Sequence, residues 1–111
     1  SGDPVAADAM NAGCDAWYSV LAGTLPGPCL EITEAARAGE CDRASALSRQ
    51  LQPLWDLFGT HGSYRVVSAL AEELGLVAHP NLPRPVRGLE PAAREQIRKA
   101  LATLRATGVL D

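Results

Sequence analysis

The sequence predicts a mainly α-helical chain with one β-strand near its beginning. Apolar residues recur at three- and four-residue steps over most of its length, which is the period of an amphipathic helix. Prolines and glycines stand where these stretches would begin and end. The 111 residues are enough for one domain with a small hydrophobic core.

Two helices are expected in the first part of the chain. Asp3 and Pro4 are typical of an N-cap followed by the first helical residue, and Gly13 is placed to end that helix. A proline- and glycine-rich loop comes later, and helical spacing resumes at Cys29 and ends at Gly39.

The second part of the chain predicts three further helices. A long amphipathic helix covers residues 42–58, and we expect Pro53 to kink it without ending it, because apolar residues keep their helical spacing across the proline. Another helix covers residues 63–75, with Ser63 as its N-cap. Three prolines in residues 76–88 exclude a helix there, and the last helix covers residues 91–108.

The only predicted strand is the segment from Asp15 to Val20, which carries two aromatic residues and a β-branched one between turn-forming residues. A single strand cannot satisfy its own backbone hydrogen bonds. We therefore expect this segment to lie exposed at an edge or to pair with another chain, and we expect dimers or larger oligomers. The start at Ser1-Gly2, without a methionine, suggests a piece of a larger protein, although a tag remnant would look the same.

Charge and cysteine content exclude several function classes. The net charge is -3 and the basic residues are scattered, which argues against a nucleic-acid partner, and no apolar run is long enough to span a membrane. No export signal is recognisable, so a cytoplasmic location is expected. Cys14, Cys29 and Cys41 are too few and too widely spaced for a disulfide framework or a metal site, and neither a metal nor a cofactor is predicted.

No catalytic residue stands out from the sequence. Lys99 is the only lysine and lies among charged residues on a helical face, whereas a Schiff-base lysine needs a desolvated pocket. Ser19 lacks the surrounding glycines of a hydrolase elbow, and His61 is typical of a helix end.

A series of short motifs stands in a fixed order along the whole chain. It comprises Ser1-Gly2-Asp3, Ala12-Gly13-Cys14, Ser19-Val20, the loop from Leu21 to Pro26, Ala36-Arg37-Ala38-Gly39-Glu40, Leu51-Gln52-Pro53-Leu54, Leu74-Gly75 and Leu82-Pro83. In this order and spacing the motifs resemble the dihydrodipicolinate synthase/N-acetylneuraminate lyase family. The chain departs from the family pattern at Pro4 (usually an acid), at Trp17 and Tyr18 (usually small or aliphatic) and at Gly23 (often asparagine).

The resemblance implies a fold class, the C-terminal part of a (β/α)8 barrel from the end of strand seven onward, followed by a helical appendage. Residues 1–39 would be the last barrel segment, with helix seven, strand eight and helix eight, and residues 40–111 would be the appendage. The active site of such a barrel lies at the C-terminal ends of the strands. The implied substrate-binding residues are listed here in chain order: Ser1, Gly2, Asp3, Tyr18, Ser19 and Val20. Asp3 would either contact the substrate or only cap the following helix.

The resemblance also implies a function. Members are class I aldolases or lyases that form a Schiff base between pyruvate, or a related 2-oxo acid, and a lysine on strand six, with a tyrosine on strand five as proton relay. Both residues would lie upstream of Ser1. We therefore expect this chain to be inactive by itself. The parent protein that contains it is expected to be an active, homo-oligomeric lyase. The alternative is a self-contained helical interaction domain, with Leu54, Trp55 and Phe58 as its partner-binding face.

Overall fold

The computed structural model of the chain describes residues 2–110, and all of the regular structure in that range is helical. Two compact units are present, Ser1–Gln52 and Pro53–Asp111. The helices are α1 (Ala6–Asn11), α2 (Pro26–Arg37), α3 (Cys41–Gln50), α4 (Gln52–His61), α5 (Ser63–Glu73) and α6 (Pro91–Ala106), with short 3-10 turns at Asp3–Val5 and Leu21–Gly23.

In the first unit, α1, α2 and α3 pack against one another. The buried apolar residues of this unit lie on these helices and in the turns beside them: Ala6, Ala7, Met10, Leu21, Leu25, Cys29, Ile32, Ala35, Ala44 and Leu51. The side-chain amide of Asn11, at the end of α1, donates to the carbonyl of Cys41 (3.1 Å) and to the hydroxyl of Ser45 (3.3 Å). These bonds join the end of α1 to the beginning of α3.

In the second unit, α5 packs against α6, and residues 74–90 connect them without regular structure. Val66, Leu70, Ile97 and Leu104 are almost completely inaccessible to solvent, because they lie on the apolar stripes of α5 and α6. The rings of Trp55 and Phe58 on α4 meet edge to face, with centroids 5.5 Å apart.

The expected long helix over residues 42–58 is in fact two helices, so the prediction of a kink at Pro53 is wrong. Helix α3 ends at Gln50, α4 begins at Gln52, and Leu51 stands between them. The N–H of Leu51 donates to the carbonyl of Ser48 (3.0 Å), a tighter bond that ends the first helix. Pro53 then lies in the first turn of α4, where its missing N–H costs nothing.

The expected strand from Asp15 to Val20 is also absent, since no strand is present in residues 2–110 and residues 16–19 belong to no helix or turn. A strand needs a ladder partner, and no other extended segment of the described chain supplies one. Helix α2 begins at Pro26 rather than Cys29, because proline is well accommodated in a first helical turn. The expected division at residues 39 and 40, between barrel segment and appendage, stays a prediction.

Candidate functional site

Asp3 is a buried carboxylate that binds a distant part of the chain. Its side chain accepts a hydrogen bond from the indole Nε1–H of Trp17 (2.8 Å, to Oδ1) and another from the backbone N–H of Leu21 (2.9 Å, to Oδ2). Only 4% of Asp3 is exposed, so both carboxylate oxygens are satisfied within the protein. Bonds to an ionised acceptor are the stronger kind of hydrogen bond, and these two hold residues 17–21 against the start of the chain.

The expected N-cap role of Asp3 is therefore wrong. Gly2 occupies the N-cap position of the first 3-10 turn, no side chain caps that turn, and Asp3 is its first residue. The carboxylate instead accepts hydrogen bonds from Trp17 and Leu21, which follow Asp3 by 14 and 18 positions in the chain. A helix cap and a tertiary anchor require the same residue type, because both need a short side-chain acceptor.

Ser19 lies beside this contact and organises the next turn. Its hydroxyl oxygen accepts the backbone N–H of Ala22 (3.0 Å) and lies 3.7 Å from the sulfur of Cys29. Burial raises the pKa of the Cys29 thiol to about 11; the hydrogen bond to Ser19 opposes this shift, and the nearby Asp3 carboxylate adds to it. The thiol is therefore neutral at physiological pH and is a poor nucleophile there.

The other predicted site residues that the structure describes face solvent. Tyr18 is 92% exposed and Val20 is 43% exposed. Gly2 is exposed as well, while Ser1 lies outside the described residues. The contacts of Asp3 with Trp17 and Leu21 thus hold the start of the chain beside the two ends of the Tyr18-to-Val20 segment, whose Tyr18 and Val20 side chains are exposed. Whether these side chains touch a substrate stays a prediction.

Sequence reasoning missed the roles of Trp17 and Leu21. In the sequence Trp17 is notable only as a departure from the family pattern, whereas in the structure its indole N–H is the partner of Asp3. A partial signal was available, since a tryptophan N–H that is not fully exposed usually finds an acceptor, but the sequence alone does not choose among Asp3, Asp8 and Asp15. The backbone donor of Leu21 has no sequence signature at all.

Lys99 is exposed on α6. Within residues 2–110, no group of three or more histidine, cysteine, aspartate or glutamate side chains is arranged to hold a metal ion. No helix in that range combines the length and the apolar character needed to cross a membrane.

Comparisons with known proteins point to one family. Residues 1–104 match the dihydrodipicolinate synthetase family. The 4-hydroxy-tetrahydrodipicolinate synthases of Stutzerimonas stutzeri and Alcanivorax borkumensis are 31% identical over 108 residues and 34% identical over 110 residues. These alignments cover 97% and 98% of this chain but 36% of each relative. A dihydrodipicolinate synthase of known structure, from Agrobacterium tumefaciens, superposes with a TM-score of 0.86 at 42% identity, over 93% of this chain and 35% of that one.

The chain thus spans about a third of the length of the relatives it matches. Its helical fold and this coverage agree with the expected fold class, a mainly α piece from the C-terminal part of a (β/α)8 barrel enzyme. The family model, both relatives and the structural match concur, and this chain belongs to the dihydrodipicolinate synthetase family.

Proposed function

We propose that this chain forms part of the substrate pocket of a Schiff-base lyase that acts on pyruvate or a related 2-oxo acid. The observation that carries the proposal is the contact of Asp3 with Trp17 and Leu21, which fixes the two segments of the predicted pocket wall beside each other. In this proposal the amine that forms the Schiff base comes from residues outside the 111 of this chain.

The character of Lys99 supports an external amine. Covalent catalysis on a carbonyl needs an uncharged amine, which a protein obtains by desolvating a lysine or by placing it near another cation. Lys99 is exposed on α6, next to Arg98, whose guanidinium is paired with Glu73 and Glu95. Its surroundings therefore do not include the dry pocket that this chemistry requires.

Within the proposed pocket wall, the residues divide into two kinds. Asp3 acts as a positioning residue, because both of its oxygens are already occupied and its side chain is buried. Ser1, Gly2, Tyr18, Ser19 and Val20 are the proposed substrate-contacting positions. The phenol of Tyr18 can donate or accept a hydrogen bond, and its near-complete exposure leaves it free to meet a polar group of the substrate.

We propose a cytoplasmic homo-oligomer as the state of the complete enzyme. All three cysteines are free thiols, two of them exposed, which suits a reducing compartment. Exposed apolar side chains at Val5, Tyr18 and Val20 are surfaces that further protein would cover.

The alternative of a helical interaction domain has lost its proposed binding face. Leu54, Trp55 and Phe58 were expected to meet a partner, but they are 0%, 4% and 7% exposed. Side chains this deeply buried contribute to the core and cannot form a binding surface without unfolding part of the protein.

Reductive trapping tests the proposed mechanism. The 111-residue chain and a complete enzyme that contains it are each incubated with pyruvate and borohydride, and the adducts are mapped by peptide mass spectrometry. We expect a lysine adduct in the complete enzyme outside these 111 residues, and none in the chain alone. Acetate in place of pyruvate is the control, because it cannot form an imine.

The opposite outcome has a clear signature. An adduct on Lys99 in the chain alone that disappears in the Lys99→Arg variant would refute an external amine. For the pocket wall, Tyr18→Phe in the complete enzyme is expected to change KM or kcat. The matched control is Tyr64→Phe, the same change at an exposed tyrosine of the second unit, which should leave both constants unchanged. Equal kinetics for both variants would remove Tyr18 from the site.

A further inference from the structure

An open cavity of about 610 Å³ lies within the second unit, and none of the proposed pocket-wall residues lines it. One side is formed by Ser68 and Glu72 of α5, and the other by the loop residues 79–82 and 84–89. Its volume falls within the range of roughly 300–1,000 Å³ that is common for small-molecule sites.

The loop is fastened to α5 at both ends, so the cavity has fixed walls. The guanidinium of Arg65 donates to the carbonyls of Arg87 (3.0 Å) and Gly88 (2.9 Å). At the other end, the side-chain amide of Asn81 donates to the carbonyl of Ala78 (3.1 Å), and its oxygen accepts the hydroxyl of Ser68 (2.7 Å). A site held in this way needs little ordering when a ligand binds.

The negative charge beside the cavity is already neutralised. The Glu72 carboxylate accepts bonds from Asn81 (2.6 Å), from His79 (3.0 Å) and from Arg94 (2.6 Å). Partial burial acts to raise the pKa of the Glu72 carboxyl, but the bonds from His79 and Arg94 outweigh it and hold that pKa below its ordinary value. Glu72 therefore remains an anion with satisfied oxygens and does not attract a further cation.

Two other charged residues of the cavity are exposed to solvent and unpaired within the described chain. Arg84 and Arg87 both line it, and neither guanidinium has a hydrogen bond or ion pair with another described residue. Apolar surface from Leu82, Val86 and Leu89 lies in the same cavity. Free guanidinium groups next to apolar walls match a ligand that has a carboxylate at one end and a compact hydrocarbon body at the other.

We propose that this cavity binds a small organic carboxylate, with Arg84 and Arg87 on the carboxylate and the apolar loop residues around the hydrocarbon body. The guanidinium fork offers two parallel N–H donors to a carboxylate, which a single ammonium group cannot do. The inference does not depend on the proposed lyase activity, because the cavity lies wholly within the second unit and contains none of the proposed pocket residues.

Binding of cyclohexanecarboxylate to the full 111-residue chain tests the proposal. The ligand is titrated while backbone amide signals are followed by NMR, with cyclohexanecarboxamide as the neutral analogue and acetate as the analogue without a hydrocarbon body. We expect saturable shifts confined to residues 79–89 and their contacts on α5. Because charge-assisted bonds to one or both guanidiniums are lost, the carboxamide should bind at least about tenfold more weakly.

Paired variants locate the charge. Arg84→Gln/Arg87→Gln should weaken cyclohexanecarboxylate binding at least about tenfold. The control Arg37→Gln/Arg105→Gln removes the same net charge at exposed positions outside the cavity and should leave binding unchanged. Equal losses in the two variants, equal affinity for acid and amide, or unsaturable shifts across the whole chain would each overturn the proposal. The comparison of acid with amide needs no variant, so it holds even if a variant fails to fold.

Discussion

Replacing Asp3 with alanine removes the acceptor of two hydrogen bonds at once. The N–H of Leu21 belongs to a residue that is 0% exposed, so it would be left unpaired in the interior, at a cost of about 1–3 kcal/mol. Trp17 is only half-buried, so its indole N–H can form a hydrogen bond to water instead. Losing the Trp17–Asp3 hydrogen bond should therefore cost about 1 kcal/mol. We therefore expect Asp3→Ala to lower the free energy of unfolding by about 2–4 kcal/mol.

Asp3→Asn separates the two contributions. Asparagine keeps one side-chain oxygen, which can accept either N–H, but it turns an NH2 group toward the other donor. The loss should be about half that of Asp3→Ala. As an N-cap, by contrast, asparagine would replace aspartate at little or no cost. An unchanged stability for Asp3→Asn would therefore favour the capping role and refute the contact.

A double-mutant cycle with Trp17→Phe isolates the side-chain pair. Each variant is unfolded with urea and followed by far-UV circular dichroism, and the cycle subtracts the apolar area lost from the indole. We expect a coupling energy of about 1 kcal/mol between positions 3 and 17. A coupling within about 0.3 kcal/mol of zero would show that Asp3 does not hold Trp17 in solution, and the positioning role proposed for Asp3 would fail with it.

Three further predictions concern single residues. Burial raises the pKa of Cys29 from an ordinary 9.0 to about 11, so its contribution to stability should be full below pH 9 and should fall as the pH rises toward 11. In urea unfolding measured across this pH range, Cys29→Ala should not show that fall in stability. The pKa of the Glu72 carboxyl is lowered, so its contribution to the free energy of unfolding should be lost as the pH falls below 4.5, the ordinary pKa of a glutamate. Glu72→Gln should therefore make stability less dependent on pH in this acid range. As a control, Glu95→Gln, which breaks an exposed ion pair, should change stability by less than about 1 kcal/mol. Gly62 has φ +85 and ψ 139, a backbone conformation open essentially only to glycine, so Gly62→Ala should lower the free energy of unfolding by about 1–3 kcal/mol. Gly59 lies within α4 with open space around it, so Gly59→Ala should raise that free energy by about 1 kcal/mol. Melting temperatures that shift in the same direction for both variants would contradict the backbone argument.

Local signals in the sequence were sufficient for most of the helices. The helix predicted for residues 91–108 is present as α6, and the one predicted for residues 63–75 is present as α5. Helical period, a proline in the first turn and a glycine after the last turn are all short-range properties, so they can be read without a fold. The same reasoning failed around Pro53, because apolar spacing is identical for one kinked helix and for two helices that meet at Leu51.

The family was likewise accessible from the sequence, because its motifs are a matter of order and spacing along the chain. The arrangement at Asp3 was not, since an aspartate before a proline satisfies the rules for a helix cap equally well. Only the tertiary structure decided between them, by bringing Trp17 and Leu21, 14 and 18 residues away, to the carboxylate. The sequence could likewise not show that the guanidiniums of Arg84 and Arg87 are unpaired. Whether a charged side chain is paired depends on which distant groups the folded chain places within about 4 Å of it, and only the tertiary structure determines that.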